Sequence, residues 1–342
     1  MSGRLGTTAL KILMPVFNDW ESLAATLQHL DETFAERDLV ASVLVVDDGS
    51  SAPIPVGLFE RKFEALERVE VLHLRRNLGH QRAIAIGLTF LYTETEGEAV
   101  VVMDADGQDC PEHVPELLRK FREEGGRKIV FAARTRRSES VLFRICYHSY
   151  RGLHRLLTGV SVRVGNFSIL PFSSLTSLSV VSELWNHYSA AIFRSRLPYV
   201  TIPAPRGRRT VGDSRMNFLN LLVHGLSALS VYGEVIGVRL LVVAIILMIV
   251  DVGLLMTVLS LQYFGAVSLP RRLLFVGGIL FFLLFEVIVV SGVLMFSMLS
   301  SRANLTFVPL RDYKYFVRDT EELFRRSAEP GSAAGQLHDH RS

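Results

Sequence analysis

Short apolar runs recur through the first 134 positions, each closed by polar residues. Runs of this length and ending read as buried strands of a parallel sheet. LKILMPVF predicts a strand over 10–17, SVLVVDD over 42–48, VEVLHL over 69–74, AVVVM over 99–103 and KIVFAAR over 128–134. Helical signals alternate with them. Asn18 or Asp19 suits a helix N-cap, and Leu23, Leu27 and Leu30 follow at helical spacing. A short helix is predicted over 58–66, and a loop and helix over 77–92. This alternation predicts an α/β fold with a doubly wound, mainly parallel sheet.

Past Gly237 the pattern changes. Residues 240–262 form a 23-residue stretch with one charge, Asp251, and residues 273–299 a 27-residue stretch with one charge, Glu286. Each is long enough to cross a bilayer as a helix. In an antiparallel hairpin the two carboxyls would come to similar depth, where an ionised group is costly. The expectation is that at least one is protonated and hydrogen-bonded. Residues 144–159 predict an amphipathic helix, and 217–237 one or two interfacial helices at the membrane surface. Arg302, Arg311, Lys314 and Arg318 after the second span favour a cytoplasmic tail, although Arg271 and Arg272 in the outer loop oppose that bias. The N-terminus lacks a signal-peptide core. The expected organisation is a cytoplasmic catalytic domain over 1–215, interfacial helices over 216–237, two membrane spans over 238–300, and a cytoplasmic tail over 301–342, disordered from Ser327. The location this implies is the cell (inner) membrane, multi-pass.

Two cysteines, Cys110 and Cys146, argue against a disulfide framework. A net charge of +3 is too small for a nucleic-acid binder. Arginine outnumbers lysine 32 to 5, which suits bidentate phosphate recognition.

Polar clusters end three of the predicted strands: Phe17 to Asp19, Asp47 to Ser50, and Asp104 to Gln108, while Arg134 ends the fifth. Open α/β sheets bind ligands outside that edge. Asp104, Asp106 and Gln108 offer hard oxygen donors for Mg²⁺ or Mn²⁺, an ion that keeps waters and bridges to phosphates. A nucleotide diphosphate could lie across this edge, its base near the first two clusters. No GxGxxG follows the first strand and no Walker-A lysine loop occurs, so dinucleotide and ATP-hydrolysing readings lack their signatures.

The motifs MPVFND, VVDDGSS, RRNLGHQRAIAIGL, MDADGQDCPEHVPELL, AARTRR, VGNFSILP and GDSRMNF stand in this order, ahead of the membrane hairpin. In this set the chain resembles the family-2 glycosyltransferases, specifically the polyprenyl-phosphate branch that includes dolichol-phosphate mannose synthases and bactoprenol glucosyltransferases. The resemblance covers roughly 10–300. It implies a GT-A-like fold and transfer of a sugar from a nucleotide diphosphate sugar to polyprenyl (undecaprenyl) phosphate on the cytoplasmic face, metal-dependent and inverting. It also implies a homo-oligomer. Carried onto this sequence, Pro15, Phe17 and Asp19 would hold nucleobase and ribose, and Asp47 and Asp48 would contact the nucleoside. Asp104, Asp106 and Gln108 would serve the metal and diphosphate, with Arg134 near the phosphates and catalytic alongside Asp104 and Asp106. Arg134 and Arg215 are the expected ligands of the acceptor phosphate. The chain departs from the family at Asp19, where Glu is usual, at Asn166, where an acid often precedes Phe, and at Arg215, which replaces lysine. The Q-x-x-R-W motif of processive relatives is absent. Two rival expectations are transfer to another lipid acceptor, such as diacylglycerol or a lipid-linked sugar, and a non-catalytic scaffold of the same fold.

Overall fold

The computed structural model describes residues 10–57, 62–134, 152, 155–159, 164–205, 207, 209, 225–265, 271–302 and 307–326. The chain divides into two compact units, one from 1–137, 163–216 and 308–342, the other from 138–162 and 217–307.

The first unit is a sheet flanked by helices. In chain order it contains β1 (Leu10–Val16), α1 (Trp20–Ala35), β2 (Ala41–Asp47), β3 (Leu66–Leu74), α2 (His80–Glu94), β4 (Ala99–Val102), α3 (Val114–Glu123), β5 (Ile129–Arg134), β6 (Val164–Pro171), α4 (Ser174–Leu178), α5 (Tyr188–Arg194), β7 (Tyr199–Ala204) and β8 (Val317–Arg325). The strand order is β7-β5-β6-β4-β1-β2-β3-β8. β1 pairs in parallel with β2 and β4, as do β2 with β3 and β5 with β7. β6 runs antiparallel between β4 and β5, and β8 antiparallel beside β3. The C-terminal ends of β1, β2, β4 and β5 therefore share one edge, and β6 begins there.

Alternation along β1 builds the two sides of the core. Ile12, Met14 and Val16 face Leu23, Leu27, Leu30 and Phe34 of α1, with Leu117 and Phe121 of α3 in the same cluster. Leu13 joins the opposite cluster with Ile84, Leu88 and Leu91 of α2. Gly87 allows that approach, since a Cβ there would lie 2.4 Å from Leu13 Cδ1. This is the mainly parallel, doubly wound sheet that the alternation predicts, in accord with the GT-A-like fold that the resemblance implies.

Three strands escape the sequence pattern. β6 and β7 lie in 164–204, where no strand is expected, and β8 lies in the expected tail. β8 carries Arg318, Asp319, Glu321, Glu322 and Arg325 and is mostly exposed, so it lacks the apolar alternation of an inner strand. The expected helix over 58–66 does not form where it is described: residues 62–65 are non-helical, and Leu66 begins β3. Asp31 determines this, because its carboxylate accepts the Glu64, Ala65 and Leu66 amides at 3.0, 2.7 and 3.0 Å and starts the strand. The expected disordered tail from Ser327 lies outside the described residues, as do most of the predicted helix over 144–159 and residues 216–224 of the interfacial segment; 225–230 of that segment are helical, and 233–237 belong to the first long apolar helix.

The second unit contains α6 (Gly233–Tyr263) and α7 (Arg271–Arg302), both longer than the apolar stretches predict. Each contains an 18-residue window of high mean hydropathy, 2.8 within Gly233–Tyr263 and 2.7 within Leu274–Ser300. The helices pack antiparallel, with Gly233 against Met298, Gly237 against Met295 and Gly277 against Leu255. Small residues at such contacts let helices approach closely in lipid. The buried positions of α6 are Gly237, Ala244 and Asp251, seven residues apart, and those of α7 include Leu284 and Ser291. That spacing is the seam of a left-handed pair. Asp251 is 6% exposed within the seam, whereas Glu286 faces outward. The register sets them about one and a half turns apart, so the two carboxyls share neither a face nor a depth, contrary to the expectation.

Candidate active site

The loops after β1 and β2 are stitched together by Asn18. It sits at φ 51°, a left-handed conformation that asparagine tolerates. Its Oδ1 accepts Ser51 N, Ser51 Oγ and Ala52 N, and its own amide donates to Ser50 Oγ at 2.8 Å. Trp20 Nε1 adds a bond to Ala52 O at 3.1 Å. Neither Asn18 nor Asp19 caps α1 as expected. Asp19 occupies the N-cap without a side-chain cap bond, and its Oδ1 instead accepts Ser22 Oγ at 2.7 Å. Phe17 is 42% exposed at this edge, an apolar surface available to a ring. Pro15 is buried inside β1, beyond the Leu10–Leu13 ladder with β4, where its missing N–H forfeits no bond to that strand.

Asp47 and Asp48 are both buried. Asp47 Oδ1 accepts Ser50 N at 2.9 Å and its Oδ2 lies 2.8 Å from His73 Nδ1. Burial alone would raise this carboxyl, but the bonds from His73 and Ser50 outweigh it and hold it below the ordinary aspartate range. Asp48 Oδ1 accepts Leu78 N at 2.7 Å and Oδ2 accepts Gly79 N at 2.9 Å. Burial raises Asp48 despite those two bonds. Each oxygen of each carboxylate thus already accepts a bond from the protein. Gly49, between Asp48 and Ser50, has φ 68°, and a Cβ there would stand 2.4 Å from Arg76 C.

The loop after β4 differs. Thr26 Oγ1 of α1 holds Ala105 O at 3.0 Å, Asp109 Oδ2 accepts Asp104 N at 3.0 Å, and Asp106 Oδ1 accepts Gln108 N at 3.0 Å. Gly107 takes φ 78°, which closes the turn. The Asp104 and Asp106 side chains remain 21% and 22% exposed. Arg209 crosses the site: it pairs with Asp19 through Nη2, and its Nη1 lies 3.9 Å from Asp106 Oδ2. Gly207 N donates to Gln108 O at 2.9 Å, docking this arginine loop on the Asp104–Gln108 turn. Arg209 thus lies between two acids of the strand edge.

At the start of β6, Asn166 joins a chain of side chains. Tyr188 N donates to Gln81 Oε1 at 2.6 Å, Gln81 Nε2 donates to Asn166 Oδ1 at 3.2 Å, and Asn166 Nδ2 lies 2.9 Å from His80 Nε2. His80 Nε2 is also 3.1 Å from Asp104 Oδ1. Burial would lower His80, but the Asp104, Asp109 and Asp48 carboxylates raise it. The sequence shows no reason to single out His80 or Asp109 and offers Asn18 only as a candidate cap, because their roles depend on partners 5 to 86 residues away.

Asp104 and Asp106, two hard oxygen donors on one tight turn, fit a divalent cation that takes its other ligands from water and a diphosphate. Among the described residues no three His, Cys, Asp or Glu side chains converge on one point, so the chain alone does not form a closed cage. The Gln108 side chain is half-buried in the same turn. Arg134 ends β5 at this edge, opposite Ala204 of β7, its side chain outside the described set. Arg215 also lies outside the described residues.

A mainly parallel sheet that presents two acids and an arginine at the C-terminal edge of its strands accords with a site for a cation and a phosphate-bearing ligand. Residues 11–178 match the family described as glycosyl transferase family 2, and this segment of the chain is a glycosyltransferase domain of that family. The uncharacterized glycosyltransferase YkcC of Bacillus subtilis is 31% identical over 171 residues, 46% of this chain and 48% of that protein. The match thus spans about half the length of that relative. The undecaprenyl-phosphate 4-deoxy-4-formamido-L-arabinose transferase of Klebsiella pneumoniae is 25% identical over 245 residues, 67% of this chain and 72% of the relative. Among solved structures, glucosyl-3-phosphoglycerate synthase of Mycobacterium tuberculosis, with Mn²⁺, UDP-glucose and phosphoglyceric acid, aligns with a TM-score of 0.45 at 16% identity, covering 67% of this chain and 80% of that one.

Proposed function

We propose that the protein moves a sugar from a nucleotide diphosphate sugar to a polyprenyl phosphate at the cytoplasmic face of the membrane. The observation that carries this is the strand edge itself: two half-exposed acids, Asp104 and Asp106, on one turn, with Arg209 reaching both Asp19 and Asp106. The two membrane-length helices support a lipid acceptor, and so does the named substrate of the Klebsiella relative.

In this reading Phe17 and the loop stitched by Asn18 receive the nucleoside. Asp47 and Asp48 act by holding the 48–51 and 77–79 loops in place, since their oxygens are already engaged. Asp104 and Asp106, with Gln108 beside them, would hold Mg²⁺ or Mn²⁺, which when bound supplies positive charge beside the leaving diphosphate. Arg209 is placed to exchange Asp106 for a phosphate oxygen, because a guanidinium pairs with either by charge-assisted bonds. Arg134 and Arg215 are proposed for the acceptor phosphate. That phosphate is already an anionic nucleophile, so no strong base is needed. The amide of Asn166, bonded to Gln81 and facing His80, accords with this. Single-step displacement would invert the anomeric centre. Two crossings of the membrane return the chain to the side of the sheet unit, and a homo-oligomer is part of the proposal.

The test uses purified protein in lipid with undecaprenyl phosphate, Mn²⁺ and a panel of radiolabelled UDP- and GDP-sugars, following label into the organic phase. Transfer from one donor, without chain growth and lost in Asp106→Asn, is the expected result. Nucleotide binding without transfer from any donor would move the reading to another lipid acceptor. Absence of binding would leave a scaffold.

A further inference from the structure

His73 is not used in the proposed chemistry, yet it is 6% exposed and has a carboxylate at each ring nitrogen. Nδ1 lies 2.8 Å from Asp47 Oδ2, and Nε2 lies 3.3 Å from Glu321 Oε2. Asp47 ends β2 and holds the following loop through Ser50 N, whereas Glu321 belongs to β8, 248 residues along the chain from His73. One imidazole thus ties the C-terminal strand to the donor-side loops. The other charged groups facing it are Asp319, its ladder partner on β8, and Arg318, whose Nε is 3.2 Å from Asp319 Oδ2.

We propose that His73 is a positioning residue, a protonation-dependent clamp through which β8 supports the nucleotide-binding loops. The proposal rests on the donor-site reading above. The geometry gives the mechanism. With both ring nitrogens protonated, each donates to a carboxylate by a charge-assisted bond. When one proton leaves, the Asp47 bond keeps the remaining N–H at Nδ1, and the Nε2 lone pair then faces the Glu321 carboxylate. The bond to β8 is lost, and the bond to Asp47 loses its charge assistance. Hydrogen bonds donated to the Asp47 and Glu321 carboxylates raise His73 above its ordinary value of 6.5, more than burial lowers it and against the opposing charge of Arg318. A raised histidine stabilises the folded arrangement fully below its unfolded pKa. That contribution is lost as pH rises through the folded value. The clamp is therefore closed below about pH 6.5 and opens on the alkaline side.

The experiment is hydrogen exchange on the full-length protein in lipid, corrected for intrinsic rates, from about pH 6 to pH 9, a range that brackets the imidazole. Segments 48–52, 77–80 and 317–326 are followed, and UDP and GDP affinities are measured in parallel. Wild type should lose protection in all three segments at one midpoint above pH 6.5, and any nucleotide affinity should fall about two- to fivefold across it, the scale of a partly exposed ion pair. Glu321→Gln should abolish the step, because an amide can accept from the imidazolium or donate to the neutral ring. Asp319→Asn, on the same exposed strand, should keep it. A step that survives Glu321→Gln, or one confined to 317–326, overturns the clamp. If neither nucleotide binds but the shared step appears, the clamp stands and the donor reading falls.

Discussion

Two acid pairs lie at the same edge of the sheet and serve opposite ends. Asp47 and Asp48, after β2, are buried at 4% and 3% exposure and spend their oxygens on backbone amides and His73. Asp104 and Asp106, after β4, keep more than a fifth of their side-chain surface open. In the sequence both are acids closing an apolar run. The difference comes from what the following chain does. The 78–79 amides close onto the Asp48 carboxylate, whereas after Asp104 the chain returns Asp109 to its backbone amide and leaves the Asp104 and Asp106 carboxylates partly open. A carboxylate enclosed by N–H donors holds backbone in place, and one left half in water can exchange its partners for a ligand.

Five substitutions test this contrast and its limits. Asp106→Asn has the largest expected effect: transfer falls about 100-fold or more, the scale of removing one charge-stabilising group, while the thermal melt is unchanged. A matching loss of stability would erase the distinction between the pairs. Asp48→Ala strands the buried Leu78 and Gly79 amides and should cost about 2–4 kcal/mol in urea unfolding of the sheet unit, with activity falling in step with the folded fraction. Gly49→Ala is next, at about 1–2 kcal/mol for the left-handed backbone alone, plus the collision with Arg76; Gly79→Ala, at φ 96° but with open space around its Cβ, should cost less. The smallest effect is expected at Asp251, a carboxyl buried in another solvent. Among the described residues its Oδ2 has no hydrogen-bond partner, so Asp251→Asn should shift hairpin stability in bilayers by less than about 1 kcal/mol. A larger loss would reveal a partner that the single chain does not supply.

Strands β1 to β5 were legible because they are apolar runs that end in polar clusters, a pattern that local sequence carries whole, whereas β6, also an inner strand, was not read. β8 was not, because an edge strand with charged side chains resembles a tail; only its pairing with β3 makes it a strand. The helix expected over 58–66 failed for a related reason: Asp31, some thirty residues upstream, captures the amides that a helix would have used. At the candidate site the residue types were readable and their orientations were not. Asp19 looked like a cap and instead pairs with Arg209. Asn18 looked interchangeable with Asp19, yet it joins two loops. Pro15 was legible as part of the first motif, but its place inside β1 follows from the sheet.

The pairing of β8 with β3 also sets an order of events during synthesis. β3 is complete at Leu74, but its outer neighbour ends at Arg325, after both long helices. At ribosomal rates of about 5–20 residues per second, β3 stays an open edge for tens of seconds while the hydrophobic hairpin is made. During that interval its unpaired backbone is exposed to any passing strand. A nascent chain halted before residue 317 should therefore be more prone to self-association than the finished protein, and release past 325 should relieve it. The last strand made would thus close the edge that one of the first left open.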